Sequence, residues 1–98
     1  MKVVYKITYP NGKIYVGMDL TDTRLRYFGS PSVELLEADT DREMLRDFTI
    51  RKEILWESET AEDSEVRRVE TQLIVEHRAN DPRIGYNKRP KYRAPVEG

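Results

Sequence analysis

The sequence of 98 residues predicts a small α+β domain, a three-stranded antiparallel β-sheet flanked by helices in the order β-β-α-β-α. Three observations carry that prediction. Two runs rich in Val, Ile, Tyr and Thr flank Pro10-Asn11-Gly12. Apolar residues recur at even positions in FTIRKEILW, from Phe48 to Trp56. Residues 60–79 place apolar side chains at helical spacing behind a candidate cap.

Residues 3–9 and 13–17 read as the first two strands. A two-residue Asn-Gly turn would require Pro10 to donate a ladder hydrogen bond, and proline has no N–H. A three-residue turn fits: Pro10 supplies the fixed φ of a type I turn, Asn11 follows, and Gly12 takes the left-handed position. That turn pairs Tyr9 with Lys13, Ile7 with Tyr15 and Tyr5 with Gly17. Tyr5 and Tyr15 then share a face as diagonal neighbours, about 7–8 Å apart. Gly17 beside them leaves space for a ligand.

Ser30-Pro31 reads as an N-cap and first-turn proline, opening a short helix through Leu35 and Leu36. Thr40-Asp41-Arg42-Glu43 is a capping-box pattern for a second helical piece to about Asp47. Phe48 to Trp56 is the third strand, and Thr60 caps a longer helix ending near Ala79. On that helix Val66, Val69, Leu73 and His77 gather on one face with Ile74 at its edge, and Glu70 projects into the same stripe. A carboxylate among apolar neighbours is costly unless neutralised, paired or bound to a cation. Its plain alternative is to bend toward solvent or pair with Arg67. For His77 the plain reading is a satisfied structural histidine.

A chain of this length supports one core, burying somewhat above roughly 60% of its extended surface. The expected organisation is a single domain over 1–90 and a short basic, flexible tail over 91–98. There is no cysteine, which excludes disulfides, thiolate catalysis and thiolate metal sites, so any metal here is a hard one. No run of eighteen apolar residues and no leader pattern occurs, and the expected location is the cytoplasm. Lys and Arg total 17 against 18 acids, but the charges are segregated. Pro82 to Arg93 holds five basic residues and no acid, whereas Glu57 to Glu65 holds five acids and no base. The basic end, with Lys88, Arg89, Lys91 and Arg93, suits a phosphate backbone.

Tyr5 within Val3-Val4-Tyr5 and, ten residues on, Tyr15-Val16-Gly17 resemble the paired signature of the GIY-YIG endonuclease family. Arg24-Leu25-Arg26-Tyr27 resembles its arginine-bearing helix, Phe48 to Leu55 its third strand, Glu70 its metal-binding glutamate, and Gly85-Tyr86-Asn87 its closing asparagine motif. The likeness spans about residues 3–89, with Val3 where the family commonly has glycine. It implies a stand-alone catalytic domain that hydrolyses DNA phosphodiester bonds at a single Mg²⁺ or Mn²⁺ held by Glu70. In that reading Tyr5 helps take a proton from the attacking water and Tyr15 orients phosphate or water. Arg24 or Arg26 gives a forked pair of donors to phosphate oxygens, and Asn87 braces the site. DNA is the implied partner, bound near Gly17 and the basic end. A homodimer would ease double-strand cleavage by a single-site nuclease, and a partner would supply DNA specificity. The rival expectation is a non-catalytic module of the same fold that binds nucleic acid or a protein.

Overall fold

A computed structural model describes residues 1–21 and 29–93. Its elements are β1 (Lys2–Thr8), β2 (Ile14–Asp19), α1 (Val33–Asp39), α2 (Arg42–Arg46), β3 (Arg51–Ser58) and α3 (Asp63–His77). The three strands form one antiparallel sheet in the order β2-β1-β3, with β1 in the middle. The α+β class and the element order are as the sequence predicts. Among the described residues no helix is long and apolar enough to cross a membrane.

The turn chemistry decides the hairpin. Gly12 N–H donates to Tyr9 O at 2.9 Å, Tyr9 N–H to Lys13 O at 2.9 Å, and Gly12 sits at φ 84°. Ile7 accordingly stands opposite Tyr15 and Tyr5 opposite Gly17, the register of the three-residue turn. Alternation along β1 then feeds two cores. Val3, Tyr5, Ile7 and Tyr9 join Tyr15 and Tyr86 on one face, with Leu35, Leu36 and Ile50 against them. Val4 and Val16 join Ala61, Val66, Ile74 and Ala79 on the other. Each fully buried Val or Ile contributes about 1.5–3 kcal/mol.

The helix starts fall later than the sequence signals place them. Ser30 does not cap α1, which starts only at Val33; its N–H is donated to the Tyr15 hydroxyl at 3.0 Å. Ser32 is the cap, and its own N–H is tied to Tyr86 O at 2.8 Å. Asp41 caps α2, its Oδ1 accepting from Met44 N at 2.8 Å, while the Thr40 hydroxyl closes α1 by donating to Leu36 O at 2.6 Å. Before α3, Ser58 Oγ accepts the N–H groups of Thr60 and Ala61, so the helix starts after Glu62 and Thr60 belongs to a turn. At its other end Arg78 takes the left-handed conformation at φ 56° and Ala79 N–H donates back to Ile74 O at 3.0 Å.

The third strand departs from simple alternation. Val4 faces Trp56 and Tyr5 faces Ile54, so Leu55 is the extra residue of a β-bulge. Leu55 and Trp56 therefore both pack toward α3, whereas Ile54 is 56% exposed at the sheet edge. Phe48 and Ile50 precede the strand; Ile50 packs on the tyrosine face and the Phe48 ring lies 6.4 Å from that of Tyr9. On α3, Ile74 is at the centre of the buried stripe rather than its edge, only 4% exposed, because it packs with Val16 and Ala79 beneath the sheet.

The chain returns after α3 to close the open edge of β2. Ile14 N–H donates to Ile84 O and Tyr86 N–H to Ile14 O, forming a parallel bridge between Ile14 and Gly85. A Cβ at Gly85 would run into the backbone oxygens of Ala79 and Ile14, so the close approach requires glycine. Asp81 organises the preceding turn. Its buried carboxylate accepts from Arg83 N, Nε and Nη2 at 3.0, 3.2 and 2.9 Å, and the Arg83 guanidinium holds its carboxyl down at about 2.

Candidate active site

The closing segment ends on a side chain that behaves as backbone. Asn87 Oδ1 accepts from Val16 N at 2.8 Å and Asn87 Nδ2 donates to Val16 O at 2.6 Å, extending the β2 ladder by one residue. Val16 lies between Tyr15 and Gly17, so this pair of bonds fixes the strand where the tyrosines converge.

Tyr5 and Tyr15 project from adjacent strands onto the same face, ring centres 6.5 Å apart and tilted by 48°. Two glycines make room for them. A Cβ on Gly17 would come within 2.6 Å of the Tyr5 hydroxyl and 2.8 Å of the Tyr15 ring. One on Gly29, at φ 82°, would lie 2.7 Å from the Tyr5 hydroxyl and overlap the Tyr15 ring. Tyr5 is thus wholly buried in a slot between Gly17 and Gly29, with Tyr15 in front of it at 9% exposure. Tyr15 Oη accepts the Ser30 N–H. Across the Tyr5 ring stands Lys52, its ammonium 4.4 Å from the ring centre.

An open cleft of about 310 Å³ runs past this point, lined by Tyr15, Ser30, Glu70, Ile74, Asn87, Lys88 and Arg89. Its residues come from β2, the loop before α1, α3 and the closing segment. Burial raises the Glu70 carboxyl above its ordinary value, and Arg67 opposes that only in part. Among the described residues Glu70 forms no ion pair with Arg67 or any other base. A half-buried carboxylate open to a polar cleft fits Mg²⁺, which binds through one or two carboxylates and keeps most of its waters. Among the described residues Glu70 is the one carboxylate on the cleft wall, and it would be the anionic ligand there.

The structure thus brings together Tyr5, Tyr15, Gly17, Glu70 and Asn87, with Lys88 and Arg89 on the cleft wall. Lys91 and Arg93 are exposed and do not line the cleft. Arg24, Arg26 and Tyr27 lie outside the described residues, as do residues 94–98 of the tail. His77 Nδ1 lies 2.9 Å from the carbonyl oxygen of Leu73, one turn back on its own helix, and does not line the cleft. Two site residues carry little sequence signal. Ser30 looks like a helix cap. Lys52 interrupts the even-numbered apolar set Phe48, Ile50, Ile54 and Trp56, and that interruption is the clue to it.

Comparison with protein-family models, with curated proteins and with solved structures finds no match to this chain.

Proposed function

We propose that this chain is a metal-dependent endonuclease of the GIY-YIG type, hydrolysing DNA phosphodiester bonds at one divalent-cation site. The observation that carries the reading is the cleft itself. Tyr15, Glu70 and Asn87, far apart in sequence, share one cleft, and Tyr5 stands behind Tyr15 against Gly17.

Glu70 would hold Mg²⁺ or Mn²⁺ through its carboxylate, and the ion would supply charge stabilisation at the scissile phosphate and the departing 3′ oxygen. Tyr15, which accepts the Ser30 N–H, stands at the cleft to orient the phosphate or the attacking water. Tyr5 takes part in removing the proton of the attacking water through the slot between Gly17 and Gly29. Lys88 and Arg89 hold neighbouring phosphates at the cleft wall, and Arg24 or Arg26 forks onto the scissile one. Asn87 keeps β2 straight under the tyrosines and touches its backbone.

Conversion of supercoiled plasmid by the purified protein in Mg²⁺ or Mn²⁺ tests the reading, beside Glu70→Ala and Tyr5→Phe. Nicking by the wild type that both substitutions abolish is the expected result. Intact plasmid combined with salt-sensitive DNA retention would instead favour a binding module built on Lys88 and Arg89.

A further inference from the structure

We infer that Lys52 is a positioning residue for Tyr5: its ammonium, seated on the π face of the ring, fixes the phenol's orientation and favours its ionised form. The consequence for the reaction rests on the nuclease reading above, whereas the contact itself does not.

Lys52 stands opposite Ile7 in the β1–β3 register, and directly opposed residues project to the same face of a sheet. Its side chain therefore enters the side of the sheet occupied by Val3, Tyr5, Ile7, Tyr9, Tyr15 and Tyr86. A lysine in an apolar set has to place its charge somewhere, and here Nζ lies 4.4 Å from the Tyr5 ring centre. That is within the range of a cation–π contact, and the attraction grows when the ring carries negative charge. Tyr5 is fully buried, so screening by water is weak and a nearby cation acts strongly. Among the described residues, the titratable or charged groups facing Tyr5 are the Tyr15 phenol from β2 and Lys52 from β3. From α1, Leu35 and Leu36 pack on this face and Asp39 binds Tyr86 and Lys13 at its far end, while Glu70 of α3 reaches the cleft on the Tyr15 side. A plain alternative is that an inward lysine merely guards the exposed edge strand against pairing with another chain. In that case Tyr5 does not sense it.

The test follows the alkaline titration of the Tyr5 ring resonance in the full chain labelled at tyrosine Cζ, with Tyr5→Phe to assign the signal. In Lys52→Met the titration is expected to move about one pH unit or more upward, while Lys52→Arg stays near wild type. Lys52→Gln is the second neutral variant should Met disturb the fold. An unchanged titration in the neutral variant overturns the inference, as does a Tyr5 signal in the wild type that fails to move before the protein unfolds. Nicking separates the two claims. A wild type that nicks, with the pH profile of Lys52→Met displaced upward and that of Lys52→Arg restored, supports both. A displaced titration in a protein that nicks nothing upholds the contact and overturns the nuclease reading.

Discussion

Tyr9 and Tyr86 meet edge to face at 5.2 Å, and the Tyr86 hydroxyl both accepts from Asn11 Nδ2 and donates to Asp39 Oδ2. Asp39 also receives the Lys13 ammonium at 2.6 Å, which closes α1 onto the hairpin turn. On the same face of the sheet, Tyr5 and Tyr15 meet at 6.5 Å between two glycines, beside a cleft holding a half-buried carboxylate. One pair is locked between a helix and a turn, with the Tyr86 hydroxyl committed to the fold. The other is given space, a cation over one ring, and an opening. Two pairs of buried phenols on one face thus differ in what surrounds them.

The tyrosine pair beside the cleft is most sensitive at Gly29. Gly29→Ala combines a Cβ overlapping the Tyr15 ring with φ 82°, and a loss of about 3 kcal/mol in denaturant unfolding is expected together with loss of nicking. Asn87→Ala orphans the N–H and C=O of Val16 and is expected to cost about 2 kcal/mol. Its disturbance should reach the Tyr15 amide resonance before that of Tyr9.

The structural pair has its own pH signature. Burial, reinforced by the Tyr15 and Tyr86 phenols, pushes Tyr9 up to about 12, against 10.0 in the unfolded chain. The unfolded chain releases that proton first, so the stability is intact below pH 10.0 and falls as the pH rises toward about 12. Tyr9→Phe should flatten that alkaline loss, on the order of 2 kcal/mol, as read by urea midpoints across the interval. Tyr86→Phe, which forfeits the bonds to Asn11 and Asp39, is expected to cost about 1 kcal/mol and leave nicking intact.

The smallest effect sharpens the contrast from the functional side. Because burial raises Glu70, its ionisation at neutral pH works against the fold. Glu70→Gln should slightly raise the melting temperature at pH 7 without metal, and the gain should vanish below about pH 4.5, where the acid is protonated in both states. An unchanged or lowered midpoint at pH 7 would mean that Glu70 is a stabilising surface charge.

Local chemistry made the hairpin legible in the sequence: a missing N–H at Pro10 and a left-handed Gly12 leave one register, and that register put Tyr5 beside Tyr15. The Glu70 stripe was legible for the same reason, since helical spacing forces the carboxylate toward apolar neighbours. The helix starts were not: the Ser30 and Ser32 N–H groups are claimed by Tyr15 and Tyr86, and Ser58 organises the turn before α3. Two of those bonds, from Ser30 to Tyr15 and from Ser32 to Tyr86, reach residues remote in sequence. The bulge at Leu55 is likewise set by pairing with β1, and it moved Ile54 to the edge. Asn87 was identified through a resemblance; its bonds to Val16 explain physically why an asparagine, with one donor and one acceptor side by side, suits that place.

On the proposed reading the glycine-flanked tyrosines serve chemistry, whereas Tyr9 and the Asp39-bound Tyr86 serve the fold. The most direct measurement sets Tyr15→Phe beside Tyr86→Phe in a plasmid-nicking assay with Mn²⁺, at temperatures where both variants are fully folded. A fall of about 100-fold or more for Tyr15→Phe, with Tyr86→Phe cutting at the wild-type rate, is the predicted result. Equal rates for both variants, or a loss confined to Tyr86→Phe, would contradict it.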